Sequence, residues 1–208
     1  MDSVEDAGVN LVAIAGDNAA GSAARDRLRE IIKNRSVITG DFELASGGSS
    51  GVFFEMKETL LDPEGLNFAS EMILDIINKL PNVDAVGGLE LGACPLVTAI
   101  CLKSRAGRPL AGFYVRKERK KRGAKQLIDG PVVRGSHVVV LDDVTTKGGS
   151  VLQAIRAARE ELDCTVVAVI TVIDREEGAK EALAKEGFDL IPLFVMSEFE
   201  QGRDRRGR

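Results

Sequence analysis

The residues best suited to chemistry form one continuous stretch, from Val138 to Ser150, with the sequence VVVLDDVTTKGGS. A short apolar run is followed by two carboxylates, Asp142 and Asp143, and then by threonines, a lysine and small residues. The run predicts a buried strand over Val138 to Leu141, and the helical apolar period from Val151 to Leu162 predicts a helix after the loop. Paired carboxylates suit sugar hydroxyls or a hydrated Mg²⁺, and a small-residue loop before a helix suits phosphate.

This stretch also has a purely structural explanation. Turns with glycine and threonine join strands to helices in every α/β domain, and an aspartate at the end of a strand is often a helix cap. Two common phosphate loops are excluded by spacing, because neither G-x-x-x-x-G-K-[ST] nor G-x-G-x-x-G follows a predicted strand. From the residue types alone, phosphate binding and a structural turn both stay open.

A strongly basic segment precedes this stretch. Seven of the eleven residues from Arg116 to Gln126 are lysine or arginine, and one is acidic. The segment has no apolar period, so it is predicted to be a mobile loop, and a charge run of this kind is often only a solvated face. In a chain with a net charge of −4, these cations also suit a small and densely charged anion such as pyrophosphate.

Strands that alternate with helices must position these residues. Apolar runs beginning at Ala85, Pro109, Thr165 and Leu190 predict further strands, which gives a mostly parallel sheet with helices on both faces. A glycine-rich turn with Gly87, Gly88 and Gly92 follows the first of these runs, where it permits either a tight turn or a close approach to a ligand. Arg175 follows the run that begins at Thr165, and it can grip a bound carboxylate or pair with an adjacent glutamate, Glu176 or Glu177.

The N-terminal part predicts a small unit outside this sheet. Residues 1–24 are rich in Ala, Gly, Asp and Asn, which predicts a loosely ordered extension before a helix over Arg25 to Asn34. Two short strands around a Ser/Gly connection follow, and the adjacent Phe53 and Phe54 must point to opposite faces of the second one. Asp62 is then predicted to cap the next helix, with Pro63 in its first position.

Composition limits the class of protein. A chain of 208 residues predicts one domain, and its net acidity argues against a general nucleic-acid-binding protein. No apolar stretch approaches the roughly 20 residues that a membrane helix requires, and the N-terminus is acidic where a signal peptide would be basic. The three cysteines lack metal-site spacing and the single histidine, His137, adjoins the central strand, so we expect reduced thiols in a cytoplasmic protein.

The stretch VVVLDDVTTKGGS resembles the phosphoribosyl pyrophosphate (PRPP) loop of type I phosphoribosyltransferases. Four other segments resemble the orotate phosphoribosyltransferases of that family, in the same order along the chain, over roughly residues 40–196. They are the two aromatics followed by an acid-x-Lys, the glycine-rich GGLELGA, the basic RKERKKRG and the DREEG after the β-branched run. The family usually has histidine where Arg122 stands, a change that removes a group titrating near neutral pH but retains a cation.

The resemblance implies a type I phosphoribosyltransferase fold, α/β, with a mostly parallel central sheet and a small N-terminal hood. Its implied layout is an extension over 1–24, one domain over 25–200 (hood about 25–60, core about 61–200) and a basic tail over 201–208. The implied reaction transfers 5-phosphoribosyl from PRPP to orotate, in the penultimate step of UMP synthesis. The implied cofactor is Mg²⁺, bound mainly through PRPP, and the implied assembly is a homodimer in which Lys117 acts in the neighbouring subunit's site. No nucleic-acid or membrane partner is expected.

The resemblance also assigns residues. The implied catalytic residues are Lys120, Asp142 and Asp143. The implied PRPP-binding residues are Arg116, Lys117, Lys120, Lys121, Arg122, Asp142, Asp143, Val144, Thr145, Thr146, Lys147, Gly148, Gly149 and Ser150. The implied orotate-binding residues are Phe53 or Phe54, Thr146 and Arg175. Two alternatives remain: a phosphoribosyltransferase for another base, and a PRPP-binding regulator without turnover.

Overall fold

A six-stranded sheet forms the centre of the computed structural model, which describes residues 21–43, 49–119 and 126–200. The strands are β1 (Val37–Glu43), β2 (Ser49–Phe54), β3 (Ala85–Leu89), β4 (Ala111–Val115), β5 (Ile128–Asp129), β6 (His137–Thr145), β7 (Thr165–Asp174) and β8 (Leu190–Val195). The central sheet has the order β5-β4-β3-β6-β7-β8, and β1 and β2 form a separate antiparallel pair. Only β5 runs antiparallel to its neighbour in the central sheet, which confirms the mostly parallel arrangement.

Helices cover both faces of the sheet, as predicted. They are α1 (Gly21–Arg35), α2 (Lys57–Leu60), α3 (Pro63–Asn78), α4 (Cys94–Ser104), α5 (Gly149–Leu162), α6 (Ala179–Lys185) and α7 (Ser197–Glu200). Two apolar clusters result, since successive residues of a strand point to opposite faces. Val139 and Leu141 of β6 join one cluster with α1, α3 and α4, while Val138 and Val140 join the other with α5 and α6.

The central strand is longer than its apolar run predicts. We expected a strand that ends at Leu141, with the acidic pair beyond it, but β6 continues through Asp142 and Asp143 to Thr145. The neighbouring β7 is equally long and supplies partners as far as Asp174, opposite Thr145. Because α5 begins at Gly149, the connection between strand and helix is shorter than expected and spans residues 146–148.

The N-terminal unit packs over one face of the sheet through α1 and β2. Helix α1 begins at Gly21, inside the predicted extension, and Arg25 ties it to the last strand by donating to the carbonyl oxygen of Leu193 at 3.1 Å. Asp62 caps α3 as predicted, because its side chain accepts from the backbone N–H groups of Glu64 and Gly65. The remainder of the predicted extension and the basic tail lie outside the described residues. Within the described residues, every helix is too short or too polar to cross a membrane.

Candidate active site

The acidic pair lies at the carboxyl edge of the parallel sheet, the edge where ligands bind in open α/β sheets. Oδ1 of Asp142 accepts from the backbone N–H of Asp143 at 3.2 Å, and Oδ1 of Asp143 accepts from that of Val144 at 2.9 Å. Burial and, secondarily, repulsion from Asp143 raise the pKa of Asp142 well above its ordinary value. Burial likewise raises the pKa of Asp143. Two carboxylates held in this way favour ligands that donate hydrogen bonds or carry positive charge.

Two residues from other parts of the chain surround the carboxylate of Asp143. Gly92, in the glycine-rich turn after β3, lies so close that a Cβ atom at its position would be 2.2 Å from Oδ1 of Asp143. Lys57, at the start of α2, donates to Oε1 of Glu55 at 2.8 Å, and its charge partly offsets the rise in the pKa of Asp143. The N-terminal unit and the glycine-rich turn therefore both reach the acidic pair.

The glycine-rich turn thus has a role that its sequence left open. Gly87 and Gly88 lie within β3 and permit close packing inside the protein, Gly87 against the ring of Phe113 and Gly88 against the carbonyl oxygen of Leu141. Gly92 permits close packing against the site itself. The glycines are therefore explained by approach of the chain to its own residues, and at Gly92 the contacted residue is a candidate catalytic group.

The connection after β6 leads into a helix N-terminus suited to a phosphate group. Gly148 adopts φ +78°, a left-handed conformation that glycine tolerates best, and offers no side chain to cap the first turn of α5. The N–H groups of that turn and the positive end of the helix dipole therefore face the connection. Thr145 is buried, Thr146 is half-buried, and Lys147, Gly149 and Ser150 are exposed. Lys147 lies in the middle of the connection and is exposed, a position that by itself assigns it no role.

The described part of the basic segment is held by contacts with three other elements. Nε of Arg116 donates to Oδ2 of Asp129, in the edge strand β5, at 2.7 Å. Lys117 is held through its backbone, because its N–H donates to Oε1 of Glu90 and its carbonyl oxygen accepts from Nε2 of Gln153 in α5. The predicted ligand-binding residues Lys120, Lys121 and Arg122 lie outside the described residues.

The two phenylalanines of β2 have different surroundings. Phe54 is 5% exposed and packs edge-on against the ring of Phe199, with 5.4 Å between centroids. Phe53 is 39% exposed on the opposite face of the strand. The prediction that they point to opposite faces is confirmed, and Phe53 is the one that remains accessible to a ligand.

Exchanging each phenylalanine for alanine separates the two roles. The resemblance to orotate phosphoribosyltransferases implies that an aromatic ring here stacks on the base, and on that basis we expect Phe53→Ala to raise the KM for the implied substrate orotate by about 5- to 100-fold, with little change in stability. Phe54→Ala should instead lower the free energy of unfolding by about 3–5 kcal/mol, because it empties a core position. Steady-state kinetics and urea denaturation measure the two effects. An unchanged KM in Phe53→Ala would remove this residue from the orotate site.

Arg175 lies at the carboxyl end of β7 and is almost fully buried. Its Nη2 forms an ion pair with Oε1 of Glu177 at 2.9 Å and donates to the carbonyl oxygen of Val52 at 3.3 Å. The sequence left open a carboxylate ligand or a pairing with an adjacent glutamate, and the structure contains the pairing with Glu177. Val52 directly precedes Phe53, so Arg175 also joins the end of the sheet to the strand that carries the accessible aromatic ring.

Several residues around the site were not anticipated as contacts. Sequence reasoning noted Glu55 and Lys57 only as part of a resembling motif, without a position near Asp143. Glu90 likewise appeared only inside the resembling GGLELGA, and Gln153 gave no signal at all, because polar residues on a helix surface are common. Their contacts depend on which strands are neighbours, and periodicity does not determine that order.

These features define a class of protein before any relative is considered. A mostly parallel sheet carries an acidic pair and a glycine-led helix at its carboxyl edge, beneath a small N-terminal unit. This is the architecture of a type I phosphoribosyltransferase. In agreement with it, the family model for the phosphoribosyl transferase domain matches residues 58–201.

Individual relatives narrow the class. An orotate phosphoribosyltransferase from Rhodopseudomonas palustris is 44% identical over 183 residues, which cover 86% of this chain and 97% of the relative. A crystal structure of the Mycobacterium tuberculosis orotate phosphoribosyltransferase with Fe(III) dicitrate has a TM-score of 0.74 at 32% identity, covering 85% of this chain and 98% of that one. Another, in complex with PRPP, has a TM-score of 0.71 at 31% identity and covers 85% and 99%. The chain belongs to the orotate phosphoribosyltransferase family.

Proposed function

We propose that this protein transfers a 5-phosphoribosyl group from PRPP to orotate, giving orotidine 5′-monophosphate and pyrophosphate in pyrimidine biosynthesis. The proposal rests on one observation: the acidic pair, with Asp142 buried and Asp143 half-buried, adjoins the uncapped first turn of α5. The hydroxyls and the 5-phosphate of one ribose therefore find partners at the same edge of the sheet. The family membership of the chain supports orotate as the acceptor.

In this reaction the bond from the ribose to pyrophosphate breaks and a bond to a ring nitrogen of orotate forms. Positive charge develops on the ribose, so the protein must stabilise that charge and neutralise the leaving group. Asp142 and Asp143 hold the ribose hydroxyls and stabilise the developing cation. Arg116, Lys117 and Lys120 collect the pyrophosphate, and Lys120 is the catalytic member of this set.

The remaining residues bind and orient the two substrates. The connection and first turn of α5 hold the 5-phosphate, while Phe53 stacks on orotate with Thr146 beside it. Arg175 supplies positive charge for the carboxylate of orotate at the end of β7. The further PRPP-binding residues in the proposal are Lys121, Arg122, Val144, Thr145, Lys147, Gly148, Gly149 and Ser150.

Mg²⁺ is part of the proposal as the partner of PRPP. Asp142 and Asp143 fit such an ion, since a divalent cation would compensate the desolvation that raises both pKa values and the repulsion from Asp143 that further raises the pKa of Asp142. In the part of the chain that the structure describes, no group of three or more His, Cys, Asp or Glu side chains could hold a metal ion. When bound, Mg²⁺ neutralises charge on the leaving pyrophosphate.

The decisive experiment measures pyrophosphate release from PRPP in the presence of Mg²⁺, with orotate, uracil or a purine base as acceptor. We expect release only with orotate. Release with another base would identify a different phosphoribosyltransferase. PRPP binding without release for any base would identify a regulator, the alternative that Arg122 keeps open.

Self-association is a further part of the proposal, because family resemblance places Lys117 in the site of the neighbouring subunit. Two exposed apolar side chains support it, Leu91 in the turn before α4 and Leu102 in the last turn of α4. A second copy that covers this side would bring its own basic segment near the first copy's site. We propose α4 as the centre of that contact.

Charging this surface tests the dimer. Leu102→Glu should convert a dimer into a monomer, because an unpaired charge in an apolar contact is strongly unfavourable. Leu61→Glu is the matched control, since Leu61 is equally exposed but follows α2 and is not part of α4. Light scattering measures the mass of each variant. A Leu102→Glu variant that stays dimeric would show that the subunits meet elsewhere.

A cytoplasmic location belongs to the proposal as well. Cys94, Cys101 and Cys164 are all free thiols. Burial raises the pKa of each thiol, which keeps them in the unreactive protonated form. This state suits a reducing compartment.

A further inference from the structure

The ion pair between Arg175 and Glu177 lies at the carboxyl end of β7 and is largely buried. The Arg175 side chain is 4% exposed and that of Glu177 20%. Nη2 of Arg175 lies 2.9 Å from Oε1 of Glu177 and donates to the carbonyl oxygen of Val52 at 3.3 Å. Each terminal nitrogen of a guanidinium carries two N–H groups, so Glu177 and Val52 together use both of those on Nη2.

Arg175 requires a counter-ion for as long as no ligand is bound. An arginine guanidinium stays charged inside a protein. Removing one partner of a buried ion pair leaves the other charge uncompensated, which destabilises the fold. Glu177 supplies the compensating charge from within the chain. It is therefore the resident counter-ion of Arg175.

A second carboxylate on Arg175 would be opposed by the charges around it. Three further carboxylates lie at this edge of the sheet, those of Asp142, Asp143 and Asp174. Burial raises the pKa of each of them, because little water is present to stabilise negative charge there. One guanidinium offsets one negative charge. The carboxylate of a ligand therefore binds Arg175 most favourably when it replaces that of Glu177.

Glu177 can leave Arg175 without unfolding its surroundings. The turn after β7 is fixed by Glu176, whose N–H donates to Oδ1 of Asp174 at 3.0 Å and whose Oε2 accepts from the N–H of Ser197 at 2.8 Å. Within the described part of the chain, the Glu177 side chain has Arg175 as its single polar partner. Glu177 is also the more exposed member of the pair, so rotation of its side chain takes the carboxylate into water while the turn stays in place.

We propose that the carboxylate of orotate takes the place of Glu177 on Arg175 when the acceptor binds. The inference rests on the proposed function, in which Arg175 supplies positive charge for that carboxylate. Glu177 then contributes to specificity, because a ligand with its own carboxylate can replace it, whereas a base without one leaves it in place. Glu177 also weakens the binding of orotate, since orotate must displace a charged competitor.

Orotidine 5′-monophosphate and UMP are a matched pair of probes, since UMP lacks only the carboxylate. In Glu177→Gln, we expect the dissociation constant of orotidine 5′-monophosphate to fall about tenfold, the difference between a charged and a neutral competitor for one hydrogen bond. The dissociation constant of UMP should not change. Glu181→Gln is the matched control, since it removes the same charge from an exposed position of α6 and should leave both constants unchanged. Isothermal titration calorimetry measures them.

The stability of the unliganded protein should change in the opposite direction. Glu177→Gln leaves the charge of Arg175 uncompensated and should lower the melting temperature by about 5–10 °C, while Glu181→Gln should keep the wild-type value. A purely structural contact would lower stability but leave the binding of orotidine 5′-monophosphate unchanged or weaker, and either binding result overturns the proposal. Equal tightening of both nucleotides would indicate a general effect of charge and overturn it as well.

Chemical rescue tests the exchange of carboxylates without a nucleotide and without turnover. Glu177→Ala removes the resident carboxylate, and a small external carboxylate should take its place. About 50 mM formate should raise the melting temperature of this variant more than the same concentration of chloride does. Equal effects of the two anions overturn the proposal. If the wild-type protein releases no pyrophosphate with orotate although formate stabilises Glu177→Ala as expected, the proposed function fails and the counter-ion role of Glu177 stands.

Discussion

Asp143→Asn is expected to lower kcat by about 10²- to 10³-fold, the loss usual for removal of one group that stabilises transition-state charge. Asparagine has the same shape, and its oxygen can still accept from the N–H of Val144, so the local backbone keeps its hydrogen bond. What disappears is the negative charge that is proposed to face the developing ribose cation. Pyrophosphate release under saturating PRPP and orotate measures the change. Unchanged turnover would remove Asp143 from the catalytic residues.

The same substitution should stabilise the folded protein. Burial raises the pKa of Asp143 in the folded state above its unfolded value, so ionisation destabilises the fold at neutral pH. That penalty disappears as the pH falls below the unfolded value, near about pH 4. The melting temperature of Asp143→Asn should therefore exceed that of the wild type at pH 7, by about 2–4 °C for each kcal/mol relieved, and the excess should vanish towards pH 4.

Asp75→Asn is the matched control for both measurements, since Asp75 is an exposed residue of α3, outside the site. It removes the same charge at an exposed position and should leave kcat and the melting temperature at pH 7 unchanged. A lower melting temperature for Asp143→Asn at pH 7 would contradict the destabilising effect of the buried carboxylate. The two outcomes together distinguish a catalytic aspartate that lowers the stability of the fold from an aspartate with a purely structural role.

Gly92→Ala is expected to lower kcat/KM for PRPP by about 10²-fold, the effect of moving a reacting group by about 1 Å. The added Cβ would stand 2.2 Å from Oδ1 and 3.0 Å from Oδ2 of Asp143, so the carboxylate must move. Gly92 does not have a positive φ angle, so alanine can adopt its backbone conformation. The expected loss therefore comes from the contact with Asp143 and not from backbone strain.

Gly107→Ala is the control, because a Cβ at Gly107 would meet no atom within 4 Å. It should keep wild-type kinetics. The double variant with Asp143→Asn gives a sharper test, since both changes act on the same side chain and should not be additive. Fully additive losses would show that Gly92 acts on turnover through something other than Asp143.

Sequence alone was sufficient for the features that depend on neighbouring residues. Apolar runs predicted the parallel strands β3, β4, β6, β7 and β8, and local capping chemistry predicted the start of α3 at Asp62 and Pro63. Alternation along a strand required Phe53 and Phe54 to face opposite sides. These features follow from backbone geometry over a few residues, and the order of residue types determines that geometry.

Tertiary structure decided everything that depends on which elements are neighbours. Strand β6 extends through the acidic pair because β7 lies beside it and is equally long, a partner that its own sequence does not reveal. Phe199, far along the chain, packs against Phe54 in the core, whereas Phe53 on the opposite face of β2 is 39% exposed. Gly92 reaches Asp143 because β3 is placed next to β6 in the sheet.

The pKa values of the two aspartates also depend on the fold. The pKa values of Asp142 and Asp143 rise because burial removes water from carboxylates that, as a sequence, look fully solvated. The contact between Arg119 and Glu161 likewise joins residues separated by most of β6 and α5. The order of residue types therefore determined which chemical groups are present, whereas the packing of distant elements determined their distances, their burial and their charge.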